Sequence, residues 1–103
     1  MSITGKEGGP IDLATAKQWT ANYRSSGKGS VNCHIFGKET IELLLQQEGC
    51  VGISIYYAHD DQGQQQLLLV GVDAEGNTQT GGSILDHSKV CPPDCGSAGE
   101  LDG

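Results

Sequence analysis

Positive charge is what this chain has least of. Six Lys and Arg residues stand against thirteen Asp and Glu, for a formal charge of −7 over 103 residues. Phosphate backbones are met by clustered bases, so nucleic acid is excluded as a partner, and an anionic membrane surface is excluded on the same ground. Long apolar runs are missing too. No stretch approaches the roughly 18 consecutive apolar residues of a membrane span. The opening residues MSITGKEGGP hold no apolar core of the kind a secretory leader needs. The expected location is therefore the cytoplasm, where thiols stay reduced, and the four cysteines are expected as free thiols or metal ligands. Aromatics are sparse, with one Trp, three Tyr and one Phe against sixteen Gly, which implies a small core and much loop.

What remains reads as one domain with two appendages. Residues 1–10 carry Gly5, Gly8, Gly9 and Pro10 and no periodicity, so they are expected as a disordered N-terminus. Residues 11–88 are expected as a single α+β domain and residues 89–103 as a mobile tail rich in Cys, Pro and Gly. Asp12 can cap a helix running to about Arg24, because its carboxylate accepts from a first-turn amide. Leu13, Ala16, Thr20 and Tyr23 form its apolar stripe, with Trp19 beside them. Val31, Cys33 and Ile35 alternate with Asn32 and His34 as a short strand. A second helix is predicted from Lys38 to Glu48, with Ile41, Leu44 and Leu45 inward and Gly49 as its stop.

The block from Cys50 to Asp73 carries the clearest pattern. Val51, Ile53, Ile55 and Tyr57 alternate with Gly52, Ser54, Tyr56 and Ala58. Asp60 to Gln64 supplies turn chemistry, and Leu67 to Val72 is apolar on both faces; together they predict an antiparallel hairpin. A third strand is expected between Thr78 and Leu85. The fold class that follows is α+β, with two helices packed on one face of a small antiparallel sheet built around that hairpin. A sheet of few strands leaves an edge, through which a homodimer can form.

Chemistry is concentrated in Cys91-Pro92-Pro93-Asp94-Cys95. The gap between the thiols suits a structural zinc site, with His87 as a further ligand and Cys50, His34 or Cys33 to complete four. Pro92 and Pro93 lack the N–H groups that usually support a bound thiolate. The same pair can be read as a dithiol redox element, although Lys89 is its one close cation. Cys33 and His34 are adjacent on a strand and point apart, so they do not form a nucleophile–base dyad, which leaves His59 or His87 as a spatial partner for the thiol. Gly27-Lys28-Gly29-Ser30 and Gly37-Lys38-Glu39-Thr40 lack the full phosphate-loop spacing. Asp60, Asp61, Asp73 and Glu75 lack the calcium-loop order and read as turn formers.

Phe36 to Glu39, Ile41 to Leu44, Gly49 to Ile53 with Tyr56-Tyr57, Leu69 to Asp73 with Gly76-Asn77, and the closing Cys-Pro-x-x-Cys together resemble a small bacterial family with a helix–β-hairpin core. The resemblance spans about two-thirds of the chain. It implies that Cys50, Cys91 and Cys95 belong to the family pattern, and it implies no catalytic residue. With no acid–base pair, nucleophile or nucleotide loop standing out, the expected function is a non-enzymatic protein-interaction module. Zinc binding and thiol redox chemistry are the alternatives.

Overall fold

The computed structural model describes residues 2–91 and 100–101. The element order is α1 (Leu13–Ser25), β1 (Cys33–Ile35), α2 (Lys38–Leu45), β2 (Gly52–His59), β3 (Gln65–Val72), β4 (Ile84–Leu85) and β5 (Lys89–Cys91). The class is α+β with antiparallel pairing throughout, and the strands form two small sheets, β2-β3-β4 and β1-β5. Two compact units divide the chain: Met1–Glu7 with Phe36–Ser88, and Gly8–Ile35 with Lys89–Gly103.

The first unit is built on the hairpin. β2 and β3 pair from Gly52 opposite Val72 to His59 opposite Gln65. Side chains alternate across a strand, so Leu67, Leu69 and Gly71 share a face with Ile53, Ile55 and Tyr57, while Leu68, Val70 and Val72 share the other with Gly52, Ser54 and Tyr56. Leu69, Val70, Gly71 and Val72 are all buried, which is why this end of β3 is apolar on both faces. β4 adds two residues to the far side of β3, with Leu85 opposite Leu69 and Ile84 opposite Val70. α2 packs on β2 and β3 and sinks Leu44, the one described side chain with no exposed surface. α2 ends at Leu45 rather than Glu48. Its exit is a run of turns, with Cys50 N donating to Gln47 O at 3.1 Å, and Gly49 takes φ 79°, a left-handed conformation that glycine adopts without a Cβ clash. The N-terminal residues are tied in as well: Ile3 N donates to Ala74 O at 2.8 Å, and the Glu7 carboxylate accepts from Thr4 N and Gly5 N at 2.9 and 3.0 Å.

The second unit holds α1 and the ribbon β1-β5. Asp12 caps α1 as predicted: its Oδ2 accepts from Thr15 N at 3.1 Å and its Oδ1 from the Thr15 hydroxyl at 2.7 Å. Those two bonds, the hydroxyl bond first, hold the Asp12 carboxyl below the usual range. The expected apolar stripe is only partly covered. Ala16 and Thr20 are half-buried, Leu13 and Tyr23 are exposed, and no residue of α1 is fully buried. The physical reason is a stripe too thin to seal a helix: alanine and threonine offer little apolar area, and the Thr20 hydroxyl turns back to donate to Ala16 O at 3.1 Å. Trp19 is 60 % exposed and, with Tyr23, Arg24 and Leu101, lines a pocket of about 190 Å³. The Arg24 guanidinium closes one side by donating to Leu101 O at 2.6 Å.

In the ribbon, Cys33 stands opposite Cys91, His34 opposite Val90 and Ile35 opposite Lys89. Asn32 N donates to Cys91 O at 2.7 Å and extends the pairing. Among the described residues of this unit, Val31, Val90 and Cys91 are buried. β5 therefore occupies the first three residues of the segment expected as a tail; residues 92–99 and 102–103 of that segment lie outside the described residues.

Candidate functional site

Two features of the described residues have the makings of a site: the sulfurs around β5 and the outer edge of β2. The residues proposed as metal ligands from sequence fall in different settings. Cys91 lies on β5, 2 % exposed, and is disulfide-bonded. A sulfur in a disulfide is not the thiolate that zinc takes. His87 has a side chain 92 % exposed, holds φ 60°, and sets Nε2 3.4 Å from Asp86 Oδ1. Cys50 is half-buried with a free thiol that donates to Gly52 O at 3.2 Å. Cys95 lies outside the described residues. Among the described residues no group of three or more His, Cys, Asp or Glu side chains is placed to hold a metal ion.

Cys33 is the sulfur that sequence reading undervalued. Its thiol is free and exposed, and the register sets it directly across from Cys91. Opposed residues on an antiparallel pair keep their Cβ atoms about 4.5–5.5 Å apart and project from the same face. His34, next along β1, is half-buried, and burial holds its imidazole below the usual pKa by penalising the charged form. The alternation of Val31, Cys33 and Ile35 made β1 readable. Nothing in Lys89-Val90-Cys91 signals that this short run is its partner.

The second feature is the free side of β2. Strand order β2-β3-β4 makes β2 an edge, eight residues long. Ile55, Tyr56 and Tyr57 are all exposed along it, Tyr57 to 84 %. The strand carries no Asp, Glu, Lys or Arg, none of the edge charges that commonly keep a strand from pairing with another chain. Acids stand at both of its ends instead. Asp60 and Asp61 follow His59, and Glu48 precedes the strand, while Glu7 lines a shallow pocket with Val51, Gly52 and Ile53. The Asp60 carboxyl is held below the usual range, first by a bond from the Gln66 amide and then by Gln64 N, so this end is anionic at neutral pH.

No family model matches the chain, and neither a curated protein nor a solved structure matches it. No helix among the described residues is long and apolar enough to cross a membrane.

Proposed function

We propose that the protein is a non-enzymatic interaction module that takes an extended segment of a partner protein onto the edge of β2. The observation that carries this reading is an uncharged edge strand of eight residues showing Ile55, Tyr56 and Tyr57 to solvent. Strand addition obtains affinity from main-chain hydrogen bonds and specificity from alternate side chains. Tyrosine gives wide contact area and is enriched at interfaces.

The charge pattern selects the partner. A second copy pairing antiparallel about a two-fold axis would bring Asp60 and Asp61 of one chain toward the Glu48 and Glu7 end of the other. Acid would face acid at both ends, in a molecule already at −7. A segment with apolar and β-branched residues at its centre and bases on its flanks meets every part of β2 favourably. A cytoplasmic setting belongs to the same proposal; the free thiols of Cys33 and Cys50 support it, and the Cys91 disulfide stands against it.

The test uses a labelled synthetic peptide of alternating Val and Thr with two Lys at each end. Its controls are the same peptide with Glu flanks and the same peptide N-methylated at alternate residues. We expect saturable anisotropy with the Lys-flanked peptide, weakening as salt rises. Binding should be lost on N-methylation and reduced by Tyr57→Ser, a substitution at an exposed site. Equal binding of all three peptides, or of none, overturns the reading. A micromolar dimer in sedimentation that Tyr57→Ser dissolves would assign the edge to a second copy instead.

A further inference from the structure

A shallow pocket of about 400 Å³ lies at the Gly52 end of β2. We propose that it is a subsite for one lysine side chain, contributed by the end of the partner segment that lies beside Gly52. The subsite rests on the β2 reading above and adds to it a position and a residue type.

The pocket is built within one compact unit, from residues 3–7 and the open end of the hairpin. Ile3, Val51 and Val72 give it apolar walls, and Glu7 is the one charged residue that lines it. Its volume falls within the roughly 300–1,000 Å³ of small-ligand sites. Apolar walls with a single carboxylate suit a side chain that has an aliphatic stem and a cationic head. The stretch that carries Glu7 is tied down, since Ile3 N donates to Ala74 O at 2.8 Å.

The edge geometry aims a partner's side chain at this place. Gly52 and Ser54 line the pocket and project from the same face of β2. A residue paired with either of them in an added strand projects from that face as well. Gly52 carries no side chain and Ser54 a short one, so a longer neighbour can lie across them. All pairing in the sheet β2-β3-β4 is antiparallel, and parallel pairing is slightly less stable per residue. An antiparallel segment sets its C-terminal end beside Gly52, so the lysine stands near that end.

Hydrogen-bond capacity separates lysine from arginine. A carboxylate offers about four acceptor sites. Glu7 Oε2 accepts from Thr4 N at 2.9 Å and from the Thr4 hydroxyl at 3.1 Å, and Oε1 accepts from Gly5 N at 3.0 Å. That leaves one site, on Oε1. It can take one N–H of an ammonium but not the two parallel bonds of a guanidinium fork. The same bonds, led by the one from Thr4 N, hold the Glu7 carboxyl below the usual range, so it is anionic at neutral pH.

The test uses the full chain and labelled peptides of alternating Val and Thr, blocked at both ends. One peptide carries lysine near its C-terminus and norleucine near its N-terminus; the other carries them reversed. At low salt, anisotropy should show the C-terminal lysine peptide binding about threefold more tightly, the scale of an exposed ion pair. Arginine in place of that lysine should give a smaller gain. Glu7→Gln keeps an acceptor for the turn and removes the charge, while Ser54→Leu fills the pocket and touches no hydrogen bond of residues 3–7. Each should bring the two peptides to equal affinity. Retained amide-exchange protection at Ile3 certifies that residues 3–7 stay in place in both variants. No preference in the parent, a preference for the reversed peptide, or one that survives both variants overturns the subsite while strand addition itself still stands. Binding of neither peptide removes strand addition and the subsite together.

Discussion

Single side chains do the most specific work around Gly71. Gln47 and Gln79 reach toward each other over that glycine, and their amides tie the exit of α2 to the loop between β3 and β4. Gln47 Nε2 donates to Leu44 O at 3.2 Å, and Gln47 Oε1 accepts from Ser83 N at 3.0 Å. Gln79 Nε2 donates to Glu48 O at 2.9 Å, and Gln79 N donates to Gly71 O at 2.8 Å. The space for this clasp exists because Gly71 has no side chain. A Cβ there would sit 2.5 Å from Gln79 Oε1, 2.9 Å from Gln47 Nε2 and 3.1 Å from Cys50 Sγ. Gly82 makes room for the Gln47 amide in the same way. Gly71→Ala is therefore an overpacking change in a polar setting, and we expect a loss of about 1–3 kcal/mol in urea denaturation. Gln47→Ala in the same background should cost less than it does alone, because the clasp is already broken. Additive losses would mean that Gly71 is buried for some other reason. None of this was readable from sequence: Gln47 and Gln79 are 32 residues apart, and an isolated glutamine carries no local signal.

At the scale of elements, one turn is used twice. Asp60 and Asp73 each open a five-residue reversal with glycine in fourth place. Asp60 Oδ1 accepts from Gln62 N and Gln64 N, both at 2.9 Å, while Asp73 Oδ1 accepts from Glu75 N and Asn77 N at 3.0 and 2.9 Å. Gly63 and Gly76 hold φ 81° and 87°, a region costly for residues with a Cβ. Short polar side chains that bind their own downstream amides are legible, so the hairpin between β2 and β3 followed from sequence, as did the Asp12 cap of α1. The ribbon did not follow. Its strands are three residues each, and their pairing spans residues 33 to 91, so only tertiary contact decides it. Spacing along the chain links Cys91 to Cys95, whereas only the folded ribbon sets it opposite Cys33. The lowered carboxyl of Asp60 makes the hairpin pH-dependent. Its folded value lies below its unfolded value, so its contribution is complete above about pH 4, the ordinary aspartate value, and is lost as pH falls through the lowered one. Asp60→Asn keeps an oxygen acceptor and removes the titration. We expect its urea midpoint to fall less steeply than the parent's below pH 4; parallel acid limbs would show that the Asp60 charge contributes nothing.

For the whole molecule, the division into two units has a consequence for how the chain opens. Leu44, Leu69, Val70 and Val72 are buried in one unit, and Val31, Val90 and Cys91 in the other. β5 supplies two of those last three, and it is the strand paired with β1. A chain ending at Ser88 thus removes two of the three described buried residues of the second unit and none of those of the first. Local opening free energies follow buried contacts and backbone pairing, so the two regions should respond separately. In hydrogen exchange, the truncated chain should lose protection at Asn32, whose amide donates to Cys91 O, and across β1. The amides bonded between β2 and β3 should keep theirs, because that pairing lies within one unit. Loss of protection in β3 at the same rate as in β1 would mean that the chain opens as one cooperative body. Retained protection in β1 would mean that the ribbon does not depend on β5.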